Sequence, residues 1–121
     1  MGHDRLSLMV GLAVVLATAT GCKKAGRTSA EVAEGQELFG AACARCHGSE
    51  GGGGLPLWDG GPSPPSFRNH PFHAARSDAQ IRQTIVQGKA TGMPPFGTTF
   101  NDTQLAKIVG HVRSLDPEAH K

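Results

Sequence analysis

The stretch Cys43-Ala44-Arg45-Cys46-His47 decides how the rest of this chain is read. Two thiols three residues apart on one tight helical turn point the same way. They lie close enough to add across the two vinyl groups of a single haem, and the histidine that follows projects toward the iron from that side. Thioether bonds let a small chain hold haem without a deep apolar pocket. A thioredoxin-like redox pair with the same Cys-x-x-Cys spacing wants a βαβ setting, and no strand pattern flanks this motif. A zinc site wants a second Cys/His pair at finger-like spacing. His70-Pro71-Phe72-His73 supplies two imidazoles, but a proline turn does not give that geometry. The motif therefore predicts one covalent haem c, with Cys43 and Cys46 as thioether links and His47 as an iron ligand.

Toward the N-terminus, Val32, Gly35, Phe39, Ala42, Cys43 and Cys46 recur at three- and four-residue steps. This predicts a helix whose buried face runs on into the Cys pair. Thr28 or Ser29 is its expected start, since Thr28 and Glu31 have the spacing of a capping box. Before it, residues 1–21 read as an export signal: a polar head with one cation, Arg5, then an apolar run from Leu6 to Ala19 too short to span a bilayer comfortably. The run ends in Ala19-Thr20-Gly21-Cys22. Small residues directly before a cysteine resemble a bacterial lipobox, which makes Cys22 the expected lipid attachment point, residues 22–30 a polar tether, and residues 31–121 the folded domain. An exposed free thiol at Cys22 in an oxidising compartment is the less attractive alternative.

The composition agrees. The chain has 121 residues and three cysteines. With Cys22 assigned to lipid and two to haem, none remains for a disulfide. From Glu34 onward there are six aromatics, a thin core for an exported domain, and a flat apolar cofactor would add the missing buried surface. From Cys22 to Ala33 three cations face one anion, whereas from Glu34 to Lys121 eight Lys/Arg balance eight Asp/Glu. The basic character thus belongs to the tether, beside an anionic membrane, and nothing argues for nucleic acid.

Beyond the motif, Ser49 to Arg76 carries six of the 17 glycines and five of the eight prolines and is expected to be one long ordered loop without a helix. Its four glycines, Gly51 to Gly54, lack the following Gly-Lys-Ser/Thr of a phosphate loop. A second helix is predicted from Ser77, with Gln80 completing its cap, Ile81, Thr84 and Ile85 inward, and Gly88 at its end. A last helix is predicted from Asn101 or Asp102, presenting Leu105, Ile108, Val109, Val112 and Leu115 and stopping before Pro117. The fold class is all-α, about three to four helices with long Gly/Pro-rich loops.

The second axial ligand follows by elimination. Met93 is the one methionine left once Met1 and Met9 leave with the signal. It sits in a Gly/Pro turn off any helix face, where Pro94 and Pro95 stiffen the segment. A thioether favours ferrous iron, so a His/Met pair raises the potential. His70, His73 and His111 stay open as alternatives and would give a lower one.

Several segments, in order, now make a pattern: Gly35-x-x-x-Phe39, Cys43-x-x-Cys46-His47-Gly48, Thr84-Ile85-x-x-Gly88-Lys89, Gly92-Met93-Pro94-Pro95-Phe96-Gly97, and the closing Leu105 to Leu115 helix. From about Val32 to Leu115 the chain resembles class I cytochrome c. The resemblance implies terminal helices crossing near Gly35, His47 as proximal and Met93 as distal ligand. It also implies an aromatic, often Tyr, where this chain has His111, so the crossing is expected to pack less tightly. The resemblance offers Trp58, Pro65 and Arg68 as residues to hydrogen-bond or cover the propionates, as loop residues do in the family, although Trp58 serves equally as a pocket wall and Arg68 as a solvated charge.

The expected function is single-electron transfer between a protein donor and a protein acceptor, with no small-molecule substrate. The expected location is the periplasmic or outer side of a bacterial membrane, the outer membrane being favoured by Lys23 after the lipid cysteine. A haem subunit of a larger oxidase or reductase has the same chemistry with a permanent partner. A ligand-binding haem sensor or a peroxidase-like enzyme wants a distal acid/base pair, and none is evident beside Met93.

Overall fold

Helix α1 (Ser29–Ala42) begins at the reciprocal cap its sequence specifies. The Thr28 hydroxyl accepts from the Glu31 N–H at 3.2 Å, and the Glu31 carboxylate accepts from the Thr28 N–H at 2.8 Å. The computed structural model describes residues 26–119 and residue 121. The expected export signal and the lipid attachment point Cys22 lie outside the described residues.

The helix does not run unbroken through the Cys pair. Cys43, at φ −112° and ψ −35°, interrupts it, and a single-turn helix α2 (Ala44–His47) follows. Hydrogen bonds still bridge the break, from the Cys43 N–H to the Phe39 carbonyl (2.8 Å) and from the His47 N–H to the Cys43 carbonyl (2.9 Å). The long loop expected from Ser49 to Arg76 also needs correction, because it contains a short helix α3 (His70–Ala74). Pro71 lies in its first turn, where a missing N–H costs nothing and a fixed φ favours the helix. Helix α4 (Asp78–Gln87) starts from a Ser77–Gln80 capping box and ends at Gly88, φ +68°. Helix α5 (Asp102–Ser114) starts from an Asn101–Gln104 box. Among the described residues the helical segments number five rather than three to four, because α2 and α3 are single turns. The fold is all-α, and an isolated bridge between Lys89 and Met93 is the β-type pairing among the described residues.

The core forms where α1 and α5 cross. Gly35 makes the crossing possible, because a Cβ there would collide with the Lys107 carbonyl of α5. Phe39, Leu105 and Ile108 are almost wholly buried, and Val109, Val112, Ile81 and Ile85 extend the cluster to α4. The crossing is not loose at His111. That ring is 4 % exposed and packs 5.1 Å from the ring of Phe39. Val32, expected on the inward face, is only half-buried, since α5 covers the middle of α1 better than its start.

Two arginines strap the outside. Arg113 Nε donates to Asp78 at 2.8 Å, Nη1 to the His73 carbonyl at 3.0 Å and Nη2 to the Arg76 carbonyl, tying α5 to the α3–α4 connection. Arg27 lies over Gly110 of α5, with its side-chain carbons where a Cβ would sit, and pairs with the other oxygen of Asp78. No described helix is long and apolar enough to cross a membrane.

Candidate functional site

The break at Cys43 shapes the site. It caps α2, so Cys43, Cys46 and His47 leave one turn of backbone together. Both thiols are free; Cys43 is buried and Cys46 half-exposed. Burial, and to a lesser degree the neighbouring Cys46, pushes the Cys43 thiol up to about 11. His47 is 8 % exposed. The ring of Phe67 stacks on it, centroids 4.7 Å apart and planes 21° from parallel, and Phe39 stands behind at 6.4 Å. Burial lowers the pKa of His47, and the nearby Pro65 backbone only partly opposes this. Its Nδ1 is sealed from solvent without a full hydrogen bond among the described residues.

The glycine-rich loop after α2 folds back over this turn. The Gly53 N–H donates to the His47 carbonyl at 2.9 Å, and the Phe67 N–H to the Gly51 carbonyl at 2.7 Å. At Gly54 a Cβ would run into the Cys46 carbonyl. Glycine lets the loop approach α2 closely, which in turn brings Phe67 onto His47. His73, from α3, secures the far end: its Nε2–H donates to the Phe67 carbonyl at 2.6 Å, and its Nδ1 faces Arg113 Nη1 at 3.4 Å. The sequence offers His73 only as an alternative iron ligand and gives Phe67 and Arg113 no place in the site. Arg113 meets His73 from 40 residues away and Phe67 reaches His47 across the glycine-rich loop, and no local spacing announces these contacts or the six-residue one between His73 and Phe67.

Met93 is half-buried against the core cluster, and backbone hydrogen bonds hold its turn on both sides. On one side the Lys89 N–H donates to the Met93 carbonyl at 2.8 Å, and the Gly92 N–H to the Lys89 carbonyl at 3.1 Å. On the other, Phe96 and Gly97 N–H groups donate to the Ile85 and Val86 carbonyls at 2.9 and 3.1 Å. The three alternative imidazoles are engaged elsewhere. His70 Nδ1 pairs with Asp116 at 3.1 Å and its Nε2 lies 3.6 Å from Glu118, His73 holds Phe67, and His111 is enclosed in the α1–α5 crossing. Arg68 is exposed, and Trp58 rests on two glycines, Gly61 and Gly92.

No group of three or more His, Cys, Asp and Glu side chains converges for a bare metal ion among the described residues. What does converge is a pair of unoxidised thiols on one turn beside an imidazole whose plane is set by a stacked ring. That donor set fits covalently attached haem iron.

Residues 30–112 match the family described as cytochrome C oxidase, cbb3-type, subunit III. The chain is 30% identical over 95 residues to the cbb3-type cytochrome c oxidase subunit FixP of Azorhizobium caulinodans, a match covering 72% of this chain and 30% of that protein. It is 25% identical over 85 residues to the subunit CcoP of Azospirillum sp., covering 70% and 29%. To cytochrome c6 of Synechococcus sp. it is 28% identical over 106 residues, covering 88% of this chain and 89% of the relative. The matches to the two oxidase subunits thus take in less than a third of each. No solved structure matches the chain.

Proposed function

The chain belongs to the family of c-type cytochrome domains described as cytochrome C oxidase, cbb3-type, subunit III, with haem c as cofactor, and we propose that it is a membrane-tethered carrier of single electrons whose haem iron is ligated by His47 and Met93. Haem c supplies the iron that takes up and gives back one electron. Cys43 and Cys46 fix it to α2. The stacked Phe67 holds the plane of His47, and the hydrogen bonds around Lys89, Phe96 and Gly97 hold the Met93 segment to α4.

The observation that carries the ligand assignment is the fate of the other imidazoles. His70, His73 and His111 each have packing or hydrogen-bond duties away from a common site, whereas Met93 stands in a stiffened turn. With His47 and Met93 both holding it, the iron would have no position left for a substrate, which favours electron transfer over catalysis. Tethering is supported by Ala19-Thr20-Gly21-Cys22. Lipid on Cys22 would place the domain, residues 31–121, on the periplasmic or outer side of a bacterial membrane.

A second reading has its own support: two relatives are oxidase subunits, in which such a domain is one part of a larger protein. The near end-to-end match with cytochrome c6 favours a domain that works by itself. Optical spectra of the oxidised and reduced protein test the main proposal. A haem c spectrum with a far-red sulfur-to-iron band that vanishes in Met93→Ala is expected; a band unaltered in that variant overturns the ligation. Co-purification with an oxidase after detergent extraction, in place of a monomer, would favour the subunit.

A further inference from the structure

Backbone hydrogen bonds anchor the Met93 turn, the one from the Gly92 N–H to the Lys89 carbonyl among them, and Gly92 has a second support as well. Gly92 has φ +115°, and a Cβ built there would come 2.9 Å from Cζ3 of Trp58 and 3.1 Å from Cδ1 of Leu57. A Cβ built on Gly61 would come 2.7 Å from Cε2 of the same indole. The Trp58 ring therefore lies against bare backbone at both places, its inner edge on Gly61 and its outer edge on Gly92. A tight turn closes the Trp58 side, with the Gly61 N–H donating to the Trp58 carbonyl at 3.0 Å. Leu57 and Trp58 are still 56% and 49% exposed, so this contact is made at the surface, across the mouth of the Met93 turn.

We propose that Trp58, supported by Leu57, is a positioning residue for Met93, a latch whose indole bears on Gly92 and keeps the thioether of Met93 from leaving the iron. The proposal rests on Met93 ligation. A thioether is a weak ligand, so the time it spends bound depends on how rigidly its segment is held. Hydrogen bonds secure the Lys89 and Phe96 sides of the turn and tie the Gly92 N–H to the Lys89 carbonyl, but Gly92 keeps glycine's wider conformational freedom and has no side chain of its own to pack. A flat ring pressed on that glycine removes the freedom.

Carbon monoxide reports the open fraction, because it binds ferrous iron only when Met93 is off and its apparent affinity scales with that fraction. The experiment compares the haem-loaded wild type with Trp58→Ala, Trp58→Phe, Leu57→Ala and Met93→Ala, reading CO affinity, the pH at which the far-red band disappears, and the thermal midpoint. In Trp58→Ala we expect CO affinity to rise about tenfold or more and the band to be lost at lower pH, with Trp58→Phe recovering most of both. A thermal midpoint lowered with neither optical property moved means the ring is structural only, and overturns the latch. If Trp58→Ala does not accumulate as haem-loaded protein, Leu57→Ala decides: tighter CO binding supports the latch and wild-type affinity overturns it. If Met93→Ala leaves the wild-type band in place, it is the ligation that fails; loss of the band there with wild-type behaviour in the Trp58 and Leu57 variants rejects the latch alone.

Discussion

The ring of His111 lies 5.1 Å from that of Phe39 and tilted by 59°, inside the crossing of α1 and α5, and neither of its nitrogens has a hydrogen-bond partner among the described residues. Burial lowers its pKa below the ordinary histidine value, and Glu50 opposes this only in part. The folded state therefore prefers the neutral ring. As pH falls below the unfolded value, the unfolded chain takes up a proton the folded one refuses, and stability drops until the folded pKa is passed. Chemical denaturation of the haem-loaded protein is expected to give a lower stability at pH 5 than at pH 7.5. In His111→Phe that difference should shrink. Removing two unpaired buried nitrogens should also add about 1 kcal/mol at neutral pH.

Two glycines of α1 should respond in opposite directions. A Cβ at Gly35 collides with the Lys107 backbone, which cannot yield without parting the helices, so Gly35→Ala should cost about 3 kcal/mol. A Cβ at Gly40 meets nothing within 4 Å, and alanine there should gain about 0.5–1 kcal/mol of helix propensity. Thermal melts of both variants check the pair; equal effects of the same sign would contradict the crossing.

Arg113 should matter more for the carbonyls it reaches than for the carboxylate it pairs with. Asp78 is about half exposed, so its ion pair is screened. The His73 and Arg76 carbonyls need the planar fork of arginine. Arg113→Lys is expected to destabilise by about 1–2 kcal/mol and Asp78→Asn by less than about 1 kcal/mol. Urea midpoints of the two variants would show the order; Asp78→Asn costing more would reverse the argument.

Exchanging Met93 for histidine should lower the reduction potential while leaving haem attached. The thioether favours ferrous iron and imidazole does not, and the exchange leaves Cys43 and Cys46, the proposed attachment points, untouched. A redox titration against the wild type tests it; a potential unchanged or raised would speak against the assignment of Met93.

What the sequence reveals well in this protein is what depends on near neighbours in the chain. The caps Thr28–Glu31, Ser77–Gln80 and Asn101–Gln104 are three-residue relations, and each helix begins where its cap does. The inward faces of α4 and α5 follow from period alone. The site is legible to the extent that Cys43, Cys46 and His47 share one turn. Helix α3 escapes notice because the proline that suggests a loop also suits a first helical turn. The break at Cys43 is a matter of one residue's backbone angles, which no periodicity records. Phe67 on His47, His73 on Phe67 and Trp58 on Gly92 are contacts made by the path of the loops, which no periodicity in the sequence records.

Arg27 crossing Gly110 on its way to Asp78 also fixes the point from which the preceding chain departs. That point is pinned to the outer flank of α5 instead of swinging on a free end. From Cys22 to Arg27 even a fully stretched backbone reaches only about 18 Å. With lipid on Cys22, the leash is too short for the domain to roam. On the proposed lipidation, the arginine strap would act as a bearing that limits which sides of the cytochrome could turn toward a partner at the membrane, so partner choice would be constrained by mounting angle as much as by surface charge.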